Sequence, residues 1–328
     1  MRAFLSYLLH PNAQQNNQSG LIIMILAMLL VPTVDVLAKI LTQSLGPVQV
    51  SFIRTLLQTL LIMLILLRSP AGSGSLRRLN LALKLRLSIA GVLISTAITF
   101  MMWSLKELPV ANAIALFFIE PLLLMALSGL ILKERTPWVR YLAAIVGLIG
   151  AMVVIRPNWQ LYGFSAVLPM LAALCYALHF IVIRKCRDHL QPLQIQAGTG
   201  IAGILFLGLL LIAGSHTEEA VLHWSSLQSN HLPLLALLGA VSAVSYLMIN
   251  VAFHRSAAST LAPFQYLEIV SATFLGFLVF SEYPDSLTLV GTGIILGAGL
   301  FVIAHEQKSN PAKKSVMESR SKLRNVGT

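Results

Sequence analysis

Ten separate apolar runs of about twenty residues, each bounded by Gly, Pro or charge, constrain this chain more than any other feature. A helix rises about 1.5 Å per residue, so a run of that length matches the roughly 30 Å hydrocarbon core of a bilayer. The runs lie near 21–41, 48–67, 87–105, 109–130, 138–156, 161–183, 192–213, 232–253, 259–280 and 286–304. Only 11 % of the 328 residues are charged, against roughly 25 % in a soluble domain, which excludes a water-soluble globule. The expected fold is an all-α integral membrane protein with ten transmembrane helices.

The net charge of +11 reads first as topology rather than as affinity for nucleic acid. Of the 23 Lys and Arg, nineteen fall in the N-terminal lead, the even-numbered connections and the C-terminal tail, and two, Lys106 and Arg156, fall on the opposite side. Lys39 and Arg54 lie within spans. Basic residues mark the cytoplasmic face, so both termini are expected in the cytoplasm of a multi-pass protein of the bacterial inner membrane. Residues 1–20 read as a cytoplasmic lead that makes a poor signal peptide, and 305–328 as a basic, solvated, disordered tail. The long outer connection 214–231 fits either an interfacial helix or a plain loop. Cys175 and Cys186 lack metal-ligand neighbours and read as inert thiols.

An odd number of spans per half turns equivalent helices upside down, so self-similarity was sought around residue 157. An offset of 148 places Glu120 on Glu268 and Glu134 on Glu282, which is notable where acids number 12 in the whole chain. An offset of 145 places Gly46-Pro47-Val48-Gln49-Val50 on Gln191-Pro192-Leu193-Gln194-Ile195, and Lys39 on Arg184. The expectation is two inverted five-helix repeats, 21–156 and 157–304, of the kind that builds alternating-access carriers around a midplane site.

The stretch LKELPVANAIALFFIEPLLLMALSGLILKERTPWVRYLAAIVGLIGAMVVIRP, repeated as ASTLAPFQYLEIVSATFLGFLVFSEYPDSLTLVGTGIILGAGLFVI, resembles EamA-type carriers of the drug/metabolite transporter superfamily. The segment APFQYLEIV…SEYPD is most similar to bacterial S-adenosylmethionine and riboflavin carriers of that group. The resemblance covers about residues 21–304. It implies ten helices in two inverted halves and a central cavity lined mainly by helices 1, 3, 4, 6, 8 and 9.

Ionisable groups at membrane depth are costly and are functional candidates by default. Glu120 and Glu268 lie near the middle of spans 4 and 9, where loss of hydration favours the neutral acid; a proton-coupled carrier uses such a group, while a structural hydrogen bond near Pro121 is the plainer alternative. Asp35 and Lys39 are spaced i,i+4 with the acid first, as in an intrahelical ion pair. Lys39 and Arg54 lie close enough to the outer face for their stems to snorkel, and Arg54 is a weaker binding candidate. Polar stripes run along span 3 (Ser95, Thr99, Trp103) and span 8 (Ser242, Tyr246, Asn250), with Tyr176 and His179 on span 6 and Gln265 on span 9. In lipid these must face protein or water, either as interhelical bonds or as substrate contacts. The aromatic members Trp103, Tyr176, Tyr246 and Tyr266 suit a flat ring or a cation, and Asn112 joins the candidates. The rows Ala143-Gly147-Ala151 and Gly293-Gly297 read as helix-packing surfaces.

No GxxxxGK[ST], HExxH or GxSxG occurs, so ATP-driven, metal-dependent and nucleophile-elbow chemistry lack their parts. No cofactor, metal or nucleic acid is expected. The partners are a small-molecule substrate and the lipid bilayer, with a homodimer left open. The reading is a secondary active carrier of a small organic metabolite, riboflavin or S-adenosylmethionine favoured, working by alternating access. Its alternatives are an amino-acid or drug exporter of the same fold and, more distantly, an intramembrane enzyme using His179 with Asp35.

Overall fold

The computed structural model describes residues 17–68, 79–131, 138–186, 189–214, 221, 224–255, 261, 264–265 and 267–309. Its helices are α1 (Asn17–Thr42), α2 (Pro47–Arg68), α3 (Leu81–Glu107), α4 (Val110–Phe117), α5 (Glu120–Ile131), α6 (Trp138–Tyr162), α7 (Leu168–Arg184), α8 (Pro192–Gly214), α9 (His231–Arg255), α10 (Leu267–Phe280) and α11 (Ser286–Ser309). A 3₁₀ turn, Gly163–Ala166, precedes α7, and no strand occurs among the described residues. Six stretches are long and apolar enough to cross a bilayer, namely those within α1, α2, α3, α8 and α9 and the segment Val110–Ile131 spanning α4 and α5.

Three boundaries depart from the hydropathy reading, each for a local reason. Helix α3 begins at Leu81 rather than near 87, because the Asn80 side chain accepts the Leu83 N–H at 2.9 Å and caps the extra turns, Lys84 and Arg86 included. The fourth run is broken in two. Pro121 has no N–H to give the Phe117 carbonyl, and its ring disfavours a helical turn below it. The chain therefore tightens to an Ile119 N–H to Leu116 carbonyl bond of 3.4 Å before Leu123 donates to Ile119 and the helix resumes. The sixth helix starts at Leu168, after the left-handed Gly163 (φ +54°) has turned the chain out of α6.

Neighbouring helices pair across the middle of the sequence. Helix α3 packs on α7 and α8, while α9 packs on α1 and α2; α5 lies against α7, while α10 lies against α1; α2 meets α8, and α6 meets α11. The α6–α11 contact brings backbones close: a Cβ added to Gly291 would lie 2.6 Å from the Gly150 carbonyl oxygen and 2.5 Å from a Val154 methyl, and α3 meets α8 as closely, with a Cβ on Gly91 2.5 Å from the Thr199 carbonyl oxygen. The expected Gly293–Gly297 packing row is corrected here, since both face open space and Gly291 makes the contact instead. Ala143 and Ala151 on α6 are buried as a packing row requires, with Gly147 against the Leu122 side chain.

The main core joins α1, α3, α4, α9 and α10, with Leu41, Leu105, Leu108, Ile114 and Leu238 excluded from solvent. Large apolar side chains such as Ile145, Leu209, Ile212 and Phe274 point outward, which suits lipid and would be a liability in water. In the connection 214–231, residues 224–228 carry no helix, with Trp224 edge-on to Phe52 and Gln49 exchanging two 2.9 Å hydrogen bonds with the Ser225 backbone. The described part of that connection is thus a tethered loop rather than an interfacial helix.

Candidate functional site

The break in the fourth run creates the centre of the molecule. It leaves Glu120 in the first turn of α5. Glu120 and Pro121 border a cavity of about 210 Å³. Helix α1 contributes Met28, Val31 and Asp35, α2 contributes Arg54 and Gln58, and α3 contributes Ala97, Ile98 and Met101. Tyr176 and Phe180 come from α7, Ser242, Ser245 and Tyr246 from α9, and Glu268 from α10, with Gln265 just before it. Both halves of the chain therefore build one chamber.

Its chemistry is a surplus of acid. Three carboxyl groups, Asp35, Glu120 and Glu268, share the lining with a single guanidinium, Arg54. Asp35 and Arg54 lie in each other's field, and Glu268 lies in the field of both other acids. Arg54 is oriented by a 2.9 Å bond from its Nε to Ser242 Oγ. One Glu120 oxygen and the Ser245 hydroxyl are buried with no hydrogen-bond partner among the described residues, so the chamber holds polar groups that its described lining does not satisfy. Such groups are expensive to bury unless a ligand, water or proton completes them. The ring of Tyr176, held edge-on between Phe117 at 5.5 Å and Phe180 at 5.0 Å, supplies a rigid aromatic wall.

The structure brings Asp35, Glu120, Tyr176, Tyr246, Gln265 and Glu268 to this lining and leaves Lys39, Trp103, Asn112 and His179 off it. Tyr266 and the side chain of Asn250 lie outside the described residues. Asn112 is buried in α4 away from the cavity, and Trp103 is half-buried on α3. The α3 polar stripe turns toward α8 rather than inward: Thr99 bonds back to the Ser95 carbonyl at 2.9 Å, and Ser95 Oγ occupies the space beside Gly203. His179 is buried beside Tyr176, with Nδ1 2.8 Å from the Ala90 carbonyl, so that ring nitrogen is engaged by backbone rather than by Asp35.

Lys39 is the clearest correction. It neither snorkels nor pairs with Asp35; it is 7 % exposed, donates to the Leu108 carbonyl at 2.7 Å and forms an ion pair with Glu282. The far half of the chain supplies this carboxylate together with the Phe280 ring, 5.1 Å from Nζ, so the ammonium is satisfied on several sides while Asp35 faces the cavity. Arg54, Gln58 and Ser245 are lining residues that the sequence reading underweighted or missed. Arg54 carried a usable signal, a cation inside an apolar run. Gln58 and Ser245 are single polar residues in apolar helices and carried little.

Known proteins resemble this chain in fold and in sequence. A protein of solved crystal structure superposes with a TM-score of 0.59 over 87 % of this chain and 96 % of its own, at 19 % identity, which establishes likeness of fold. The S-adenosylmethionine uptake transporter of Rickettsia prowazekii is 28 % identical over 225 residues, 69 % of this chain and 74 % of that protein. The riboflavin transporter of Vibrio cholerae is 26 % identical over 66 % and 70 %, and the pseudopaline exporter of Pseudomonas aeruginosa is 25 % identical over 89 % and 98 %. The family match falls in two blocks, 18–156 and 163–304, which are separated by the last turns of α6 and together contain every lining residue of the chamber. This multi-pass, all-helical chain belongs to the EamA-like transporter family.

Proposed function

We propose that this carrier moves a small organic cation or zwitterion bearing a planar ring across the bacterial inner membrane by alternating access, with S-adenosylmethionine the best-fitting candidate. The observation that carries the substrate class is the imbalance of three acids against one guanidinium in an aromatic-walled chamber. With all four ionised the lining is two charges negative, and a substrate of net charge +1 halves that imbalance, its sulfonium and ammonium facing the acids and its carboxylate facing Arg54. Tyr176 and Tyr246 supply faces for stacking and cation–π contact. The relatives named as S-adenosylmethionine uptake transporters point the same way. A neutral flavin uses the rings but not the charge, which ranks riboflavin second.

The reading takes the six long apolar segments and the shorter helices Tyr141–Val154, Leu168–Arg184, Leu267–Phe280 and Ser286–Val302 as ten crossings. The reciprocal helix pairings described above support two inverted five-helix halves. Nineteen basic residues on one side support cytoplasmic termini. Asp35, Glu120, Glu268, Tyr176, Tyr246 and Gln265, joined by Arg54, are the assigned substrate or coupling residues, with the remaining candidates in supporting positions. No catalytic role is assigned. Export is the second reading, favoured by the 98 % coverage of the pseudopaline exporter.

Reconstituted protein offered labelled S-adenosylmethionine, riboflavin and a neutral aliphatic amino acid tests this. Uptake or efflux of the first, competed by other sulfonium compounds, is expected. Transport of the amino acid alone overturns the substrate class, and movement only outward replaces uptake by export.

A further inference from the structure

One charged assembly lies outside the chamber and joins the two halves at one end of it. Lys39 is four residues beyond Asp35 on α1, about 6 Å further along the helix. Its ammonium meets the carboxylate of Glu282, 243 positions away in the connection between α10 and α11, and the carbonyl of Leu108 at the end of α3. The second Glu282 oxygen accepts the Val110 N–H at 3.0 Å, an otherwise unmatched donor at the start of α4. Glu282 is aimed there by Ser281, the one non-glycine at positive φ (56°) among the described residues. Around it Ser281 donates to the Phe277 carbonyl and Glu282 to the Gly276 carbonyl, the bonding that closes a helix C-terminus. A single side-chain pair thus ties α1, the α3–α4 junction and the α10–α11 connection together.

A buried pair of this kind is costly to break when the released charge has nowhere to go. Here it has somewhere to go. Asp35 stands one turn back on Lys39's own helix with the acid on the N-terminal side, the favourable i,i+4 order, and it already lines the cavity. Two carboxylates are available to one ammonium, one across the halves and one within α1.

We propose that Lys39 is a two-position latch: held by Glu282 it keeps this end of the chamber shut between the two halves, and released it pairs with Asp35, so that opening this end is the exchange of one carboxylate for the other. A cation bound at Asp35 competes with Lys39 for that position and favours the shut end, which makes closure follow loading. The latch rests on the carrier reading above but not on its membrane orientation, and only the coupling of closure to loading rests on a cationic substrate.

The test uses the full chain with Cys175 and Cys186 replaced by alanine and a single Ser245→Cys reporter in the chamber, labelled by an impermeant maleimide from each side of the membrane. The latch side is fixed independently by Ser226→Cys, because Gln49 binds Ser225 and Ser44 binds His231 at the same end as Lys39. From that side, Glu282→Gln is expected to raise the labelling rate at position 245 several-fold. Asp35→Asn is expected to lower it below the parent, and the double variant to fall between the two. Should Glu282→Gln fold poorly, Glu282→Asp, which keeps the charge but withdraws it by one methylene, is expected to raise labelling less. A mere structural staple would lower the melting temperature and leave labelling at the parent rate; that result, or a shift of both single variants in the same direction, overturns the latch. Labelling of position 226 from the cytoplasmic side instead refutes the proposed orientation and leaves the latch to be read from that face.

Discussion

Replacing Glu120 by Gln isolates the charge argument from the packing argument. One of its carboxylate oxygens is buried with no partner among the described residues, so the amide keeps the shape and breaks no hydrogen bond to that atom. The chamber then holds two acids against Arg54. A hydrogen bond between a charged group of a ligand and a carboxylate is worth about 1.5–3 kcal/mol, and 1.4 kcal/mol is tenfold in affinity. The dissociation constant for S-adenosylmethionine should therefore rise roughly 10- to 100-fold. Riboflavin, which presents no cation, should lose less than about threefold, under 0.7 kcal/mol by the same conversion. The assay is thermal stabilisation of purified protein across a ligand series, because binding to the native state alone adds RT ln(1 + [L]/Kd) to stability. The unliganded melting temperature should hold or rise, since an unpartnered acid has left the interior. A fall in that temperature with unchanged S-adenosylmethionine affinity would make Glu120 a structural group, and an equal loss for both ligands would refute the electrostatic reading.

Ser242→Ala removes the acceptor that orients Arg54 and should weaken binding of carboxylate-bearing ligands about tenfold, on the order of 1–2 kcal/mol, with little change for a decarboxylated analogue in a competition assay. Gly291→Val should destabilise the unliganded protein by about 1–3 kcal/mol, since the added carbons meet the Gly150 carbonyl and the Val154 backbone; Gly293→Ala, facing open space, should leave the melting temperature unchanged. Single cysteines at Ser226 and Ser319 should react with an impermeant reagent in intact cells at 226 only, and strong labelling at 319 would reverse the topology. Glu268→Gln should abolish uphill transport measured per folded molecule if the residue exchanges a proton, whereas a transport rate with the parent's pH dependence would end that role.

What the sequence showed and what it hid divide along physical lines. Hydropathy marks apolar helices because a bilayer imposes its length on a crossing helix; six described stretches are long and apolar enough to cross, while the fourth run breaks into two helices and the helix of the sixth begins only at Leu168. The scarcity of acids made Glu120, Glu268 and Asp35 visible, and the structure sets all three on one lining. Helix-face periodicity did worse. Ser95 and Thr99 share a stripe as predicted, but a polar stripe reports only that a face avoids lipid, and α8 satisfies it as well as a cavity does. Small-residue spacing failed at Gly293–Gly297 for a related reason, since spacing permits close approach while the neighbouring helix decides where it occurs, here at Gly291. Lys39 is the instructive case. The i,i+4 rule paired Lys39 with Asp35, but a local rule cannot weigh that acid against a carboxylate 243 residues away. That competitor is placed by a left-handed serine at the end of α10 and rewarded by a backbone N–H and a carbonyl, none of which leaves a periodic trace. Under the latch proposed above, the same comparison gives the residue its role: an ammonium that can exchange one carboxylate for another within its own helix supplies the choice that a carrier must make to open and close.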